Sequence, residues 1–410
     1  MPLWPRAMGR PHPAQTRQSG DLPTSETSVP GGVVRGEVPD DPSPFRGMPC
    51  LSPAQPGGSG LAFFPSAPVA IRTESLMFPK TTLALLALIA GAGTAHATQY
   101  PLQLANCGVT LRFDKAPDSA VTVGQATTEI LYALGLADRV KGTSVWFTEV
   151  LPQFKEVNAG IERLADNDPS FESVVAKRPG LVTAQYEWHI GPQGIVATRE
   201  QFADLGIPTY ILPSDCLGKD NSTGSDGTRT AMYSMESIHQ GVTELAQIFD
   251  VEDKGAALVG DLKAREAAAI DKARALDLHD ASALFWFSSA EMDIDPYVAG
   301  RKGPPAYMMQ ALGLRNVIES DEEWPVVSWE SIARANPSVI VIAKMDRRRF
   351  EADDYEKKLA FLKSDPVASQ MEAVRNDRIV VLDAHAMDSS IRNVDALETL
   401  AAALPALGLR

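Results

Sequence analysis

Two stretches of the chain are copies of one another. Residues 170–184 read S-F-E-S-V-V-A-K-R-P-G-L-V-T-A and residues 328–342 read S-W-E-S-I-A-R-A-N-P-S-V-I-V-I. Ser170 therefore aligns with Ser328, Phe171 with Trp329, Glu172 with Glu330, Ser173 with Ser331 and Pro179 with Pro337. In each copy the serine hydroxyl can accept an early free N–H of a helix, and the glutamate two residues on sits at the positive end of the macrodipole. The proline has no donor and disfavours helix at the residue before it, so each helix is limited to about two turns. The β-branched runs at 181–182 and 339–342 then read as buried strands. Helix, proline turn and buried strand are half of an α/β crossover, and a chain that carries the unit twice is expected to hold two α/β lobes of one design.

The residues around each copy extend that pattern. Before the first, 102–113 reads as a peripheral hairpin, 120–123 and 140–143 as short strands, and 128–136 as a helix. After it come a helix at 197–205 and a strand at 208–212. The loop D-N-S-T-G-S-D-G-T-R-T at 220–230 is polar and has no regular period. A helix is expected at 231–249, and an Ala-, Lys-, Glu- and Arg-rich helix at 254–276 lies between the copies as a spacer. Strands at 283–287 and 379–382, with helices at 305–312, 354–364 and 391–403, complete the second lobe. The expected architecture is two α/β sandwich lobes, residues 98–250 and 279–410, each with helices around a mostly parallel sheet. One long helix at 251–278 joins them.

The first 76 residues are different in kind. They hold 14 of the 30 prolines and no sustained apolar period, so they are expected to be disordered or to lie outside the true protein. Met77-Phe78-Pro79-Lys80, an apolar stretch to Gly93 and the small-residue site Ala95-His96-Ala97 then form a signal peptide over 77–97. The expectation is translation from Met77, a mature start near Thr98 and a periplasmic location. The mature part carries a net charge of about −15, which argues against a nucleic-acid partner. Of three cysteines, Cys50 falls in the leader. Cys107 and Cys216 remain, and in an oxidising compartment they are candidates for a disulfide.

Four segments carry a resemblance: V-T-V-G-Q-A-T-T-E-I-L-Y-A-L-G-L-A-D-R-V-K-G at 121–142, D-P-S-F-E-S-V-V-A-K-R-P-G-L-V at 168–182, L-G-I-P-T-Y at 205–210 and W-P-V-V-S-W-E-S-I-A-R-A-N-P-S-V-I-V-I at 324–342. In this order the chain resembles the periplasmic substrate-binding proteins of ABC importers for ferric siderophores, cobalamin and haem, whose two lobes are linked by a single helix. The resemblance implies a monomer without intrinsic cofactor, working with a permease dimer and its ATPase. It implies that Glu172 and Glu330, one on each lobe, pair with permease arginines, and that Trp324 and Trp329 lie toward that docking side, where they are expected to be structural.

Ligand is expected between the lobes, at loops following the strands. Those loops supply Gln125, Thr127, Thr128, Trp146, Phe147, Tyr186, Trp188, His189, Ser214 and Asp215 from the first lobe. The second supplies Ser288, Ser289, Tyr297, Arg301, Arg347, Arg348, His385 and Met387. Aromatic faces with a few cations suit a flat or anionic metal chelate, a ferric siderophore first. Cobalamin, haem or another cofactor-like molecule is the alternative, and direct metal-ion binding through His189 and His385 a further one. His239 and His279 are expected at the surface. No G-x-S-x-G, H-E-x-x-H, Walker loop or G-x-G-x-x-G after a strand occurs, which leaves an enzyme or a ligand sensor on the same fold as remote alternatives. Asp293 and Asp295 read as an exposed turn.

Overall fold

The computed structural model describes residues 97–409 apart from 225, 277 and 279. The leader with Cys50, the signal stretch through His96, and His279 lie outside the described residues. Two separate five-stranded sheets form the two lobes. In the first lobe, strands Arg163–Ala165, Val140–Ser144, Ala120–Val123, Val182–Ala184 and Thr209–Ile211 lie side by side in that order, all parallel. In the second, Tyr297–Val298, Ser282–Ser288, Val339–Lys344 and Ile379–Asp383 follow one another, with Arg315–Asn316 pairing at the start of Ser282–Ser288. Only Tyr297–Val298 runs antiparallel.

The duplicated units occupy equivalent interior positions. Ser170 Oγ accepts from the Ser173 N–H at 3.1 Å and Ser328 Oγ from the Ser331 N–H at 3.2 Å, starting helices Phe171–Val175 and Trp329–Ala335. The repeat extends to the backbone. Arg178 and Asn336, each directly before the proline, both adopt positive φ, at 48° and 46°. The strands that follow, Val182–Ala184 and Val339–Lys344, each have neighbours on both sides, which explains their apolar runs.

The spacer is a helix, Glu252–Arg274, with Glu252 and Asp253 in its first turn and Lys272 and Arg274 in its last, matching its dipole. It packs on helix Glu236–Ile248 of the first lobe and on Asn393–Ala403 of the second. Arg265 holds Asp395 at 2.5 Å and Glu398 at 2.6 Å. The hairpin Leu102–Asn106/Val109–Phe113 is fastened to the first lobe by the Cys107–Cys216 disulfide and by Asn106, whose side chain bonds both backbone groups of Ile211.

Several boundaries depart from expectation. Helix Gln125–Ala133 starts three residues early. Gly124, at φ 138°, turns the chain directly from strand into helix, and a Cβ there would run into the Gln185 side chain. The pairings Arg163–Ala165, Arg315–Asn316, Tyr297–Val298 and Lys219–Asp220/Thr228–Arg229 were not anticipated, because two or three residues hold no readable period.

In helix Tyr355–Ser364 the fully buried Lys358 donates to the Phe287 and Ala343 carbonyls at the ends of two central strands. Burial pushes its ammonium down to a pKa of about 7. Between there and the ordinary lysine value near 10, the unfolded chain holds more protons at this position than the folded one. Stability from this group therefore rises with pH across that window and is lost as pH falls toward 7. Lys358→Met should remove this slope, so that from pH 7 to 9 the urea midpoint of the wild type gains on the variant by about 2 kcal/mol equivalent. A difference independent of pH would refute it.

Candidate ligand-binding cleft

The lobes meet along the loops that leave the strand ends, and one arginine fastens them. Arg392, just before helix Asn393–Ala403, uses all five N–H groups. Nε donates to Glu129 Oε2 at 2.8 Å and Nη2 to Glu129 Oε1 and the Glu149 carbonyl. Nη1 donates to Asp383 Oδ2 at 2.9 Å and Thr148 Oγ1 at 3.2 Å. Glu129 and Arg392 are both buried, and the surrounding carboxylates keep the guanidinium charged despite burial.

Beside this staple, peptide 146–149 of the first lobe is laced to 346–347 of the second. The Asp346 and Arg347 N–H groups both donate to the Phe147 carbonyl, at 3.0 and 3.2 Å, and the Glu149 N–H donates to Asp346 Oδ2 at 2.7 Å. A cavity of about 440 Å³ opens here between the lobes, lined by Trp146, Arg163, Arg347, Arg348 and Arg349 together with Glu149, Asp166 and Asp346. The Arg163 guanidinium lies 4.8 Å over the Trp146 ring and that of Arg347 4.5 Å over Phe147, while Arg347 Nη1 reaches Asn167 Oδ1 across the interface at 3.1 Å. In a strongly acidic chain, four arginines around one opening favour an anionic guest. A larger cavity of about 750 Å³ lies at the end of the spacer helix and contains no residue of the first lobe. It is not the cleft.

Deeper in, aromatic residues from both sides meet. Phe147 stacks on His385 at 5.9 Å and meets Phe287 edge-on at 6.2 Å, and Trp324 lies 4.7 Å from Phe287. Tyr186 stacks on Trp188 at 4.3 Å. His385 is buried with no hydrogen-bond partner on either ring nitrogen, and burial holds it neutral. His189 is buried against Asp168, Nε2 to Oδ1 at 2.9 Å, and burial lowers its pKa. Met387 is buried beside them. Trp146, Phe147, Tyr186, Trp188, Arg347, Arg348, His385 and Met387 are thus gathered at the lobe interface.

Other expected contacts are placed elsewhere. Gln125 is buried and braces the cleft loop, accepting from the Phe147 N–H at 3.1 Å. Thr127 and Thr128 cap back onto the Gly124 carbonyl inside the first lobe. Ser288 donates to Asp353 at 2.7 Å and Ser289 accepts from Trp286, both inside the second lobe. Tyr297 belongs to its edge strand. Arg301 pairs with Asp321 at the surface. Trp324 joins the interlobe aromatics instead of a docking face, Trp329 packs on Trp286 in the second lobe's core, and His239 is buried, not at the surface. Asp293 and Asp295 are exposed.

Sequence reasoning missed a buried ionic network built on the polar loop. Arg229 pairs with Glu323 at 2.5 Å and donates to the Ser214 carbonyl, and Lys219 holds Asp215 at 2.6 Å. Asp226 and Asp388 face this network, and burial pushes their carboxyls up to about 6 and about 7. Thr228 bridges Glu322, so the loop is a strap from one lobe to the other. The only sequence signal was the loop's polar, Asp- and Gly-bearing composition with its single Arg229.

Glu172 and Glu330 stand exposed in the first turns of their helices, one on each lobe. Among the described residues no helix is long and apolar enough to cross a membrane, and no group of three or more His, Cys, Asp or Glu could hold a metal ion.

Two α/β lobes, one connecting helix and an aromatic, arginine-rimmed cleft define a solute-binding protein. The chain belongs to the periplasmic binding protein family, which matches residues 121–386. It is 25% identical over 298 residues to the uncharacterised ABC transporter substrate-binding lipoprotein YvrC of Bacillus subtilis, covering 72% of this chain and 82% of that one. Among solved structures it is similar to an ABC-type Fe3+-hydroxamate transport system protein from Saccharomonospora viridis, with 24% identity and a TM-score of 0.60 over 75% of this chain and 99% of that one. It is also similar to the haem-binding protein RhuT from Roseiflexus, with 22% identity and a TM-score of 0.55 over 71% and 98%. These structures share its fold.

Proposed function

We propose that the chain is an exported, monomeric receptor that captures an anionic metal chelate of the ferric-siderophore class and delivers it unchanged to an ABC permease and its ATPase. The observation that carries this reading is the arginine-rimmed cavity between the lobes, in whose wall Trp146 and Phe147 each hold a guanidinium against the ring. Glu172 and Glu330 serve as the two docking points, because one exposed carboxylate on each lobe gives a partner a two-point register. The Fe3+-hydroxamate relative supports the ligand class.

Titration calorimetry with a ferric trihydroxamate, a ferric catecholate, haem and cobalamin tests it. Arg347→Gln should weaken binding of an anionic ferric chelate by roughly tenfold or more. Tight binding of cobalamin alone, or turnover of any of these ligands, would refute the reading. One observation favours haem as the second reading: His385, buried and hydrogen-bonded to nothing, is stacked beside an aromatic face. A haem complex whose absorbance spectrum changes in His385→Ala would select it.

A further inference from the structure

Thr98 sits on a built seat. The Thr98 backbone nitrogen lies 2.7 Å from Asp250 Oδ1, and the Thr98 hydroxyl donates to the Gln247 carbonyl at 2.9 Å and also contacts Glu252. Tyr100 Oη donates to the carbonyls of Gln247 and Ile248, at 3.2 and 2.9 Å. These acceptors are the final carbonyls of helix Glu236–Ile248, the turn residue Asp250 at φ 58°, and the first residue of the spacer helix. Asp250 alone touches the Thr98 nitrogen, while Glu252 and the last carbonyls of the helix surround the same residue through its hydroxyl and through Tyr100, and a helix carboxyl end with two carboxylates beside it favours a cation. The phenol of Tyr100, raised to about 12 by burial and then by Asp250 and Glu252, feels the same field.

We infer that Thr98 is the mature amino terminus and that its free ammonium is a structural group, seated on Asp250 at the joint between the first lobe and the spacer helix. The inference rests on the reading of the chain as exported. Hydrolysis of the Ala97–Thr98 bond by a membrane signal peptidase adds one water, leaving a carboxylate on Ala97 and an amine on Thr98 that takes up a proton. A neutral peptide N–H that lends Asp250 one hydrogen bond becomes a full charge with three donors. Processing thereby changes the contact at the joint as well as releasing the chain.

Two measurements test this. Intact mass of the secreted protein should place its first residue at Thr98; any other first residue overturns the assignment. Independently of export, protein freed from a fusion so that it begins at Thr98 is compared with protein that retains Ala97 and with the N-acetylated form. The free form should melt higher by roughly 2 °C and show slower amide exchange in the Leu102–Asn106 strand, and both gains should vanish in Asp250→Asn. Equal melting and exchange of free, extended and acetylated forms would overturn the seat even if the cleavage site is right. A protein never exported would sink the processing step, while the comparison of purified forms still decides the seat.

Discussion

Arg392→Met should destabilise the protein by about 3–5 kcal/mol, because it strands the Glu129 carboxylate in the interface after all five guanidinium bonds are lost. Glu129→Leu combined with Arg392→Met should recover part of that loss, since no charge is then stranded at Glu129, while Asp383, the Glu149 carbonyl and the Leu151 N–H still lose a partner. Urea denaturation of the single and double variants measures it. Lowering the pH to 5 should restore part of the single variant's stability by neutralising Glu129. A single variant within 1 kcal/mol of wild type would show that the ion pair does not hold the lobes together.

Reversing both docking acids, Glu172→Arg with Glu330→Arg, should reduce uptake through the cognate permease to background and leave ligand affinity within about twofold, since neither side chain is in the cleft. Uptake into permease-bearing vesicles and calorimetry on the free protein separate the two effects. If the glutamates only complement their helix dipoles, each costs about 0.3–1 kcal/mol of stability and transport survives. Loss of ligand affinity would remove them from the docking role.

How far each feature could be read from the sequence follows from its range along the chain. The starts of the duplicated helices were readable to the residue, because a serine cap and a first-turn glutamate act within three residues, whereas the first helix ends at Val175, short of its proline, and its strand is Val182–Ala184. The spacer helix was readable for the same reason, by its composition and length. Trp146, Phe147, Tyr186, Trp188, Arg347 and His385 were reachable by a topological rule, since they follow strands whose carboxyl ends face the other lobe. The same rule failed for Ser288, which is claimed by Asp353 from 65 residues away. It failed for Gln125, Thr127 and Thr128 because Gly124 starts the helix early and turns them inward. The Glu129–Arg392 pair spans 263 residues, and the strap's ionic network likewise draws partners from distant segments. No local pattern marks such pairs; only the folded arrangement of the lobes brings them together.

The spacer helix has one more effect. Its 23 residues make a strut of roughly 35 Å, clamped along its length by the last helix of one lobe and, through Arg265, by the last helix of the other. A strut gripped by both lobes should limit how far the outer faces change their separation when the carrier is loaded. Empty and filled carriers would thus offer a membrane machine almost the same ruler, so vacant molecules should compete for the docking berth, and cargo would have to be sensed at the cleft instead of by span.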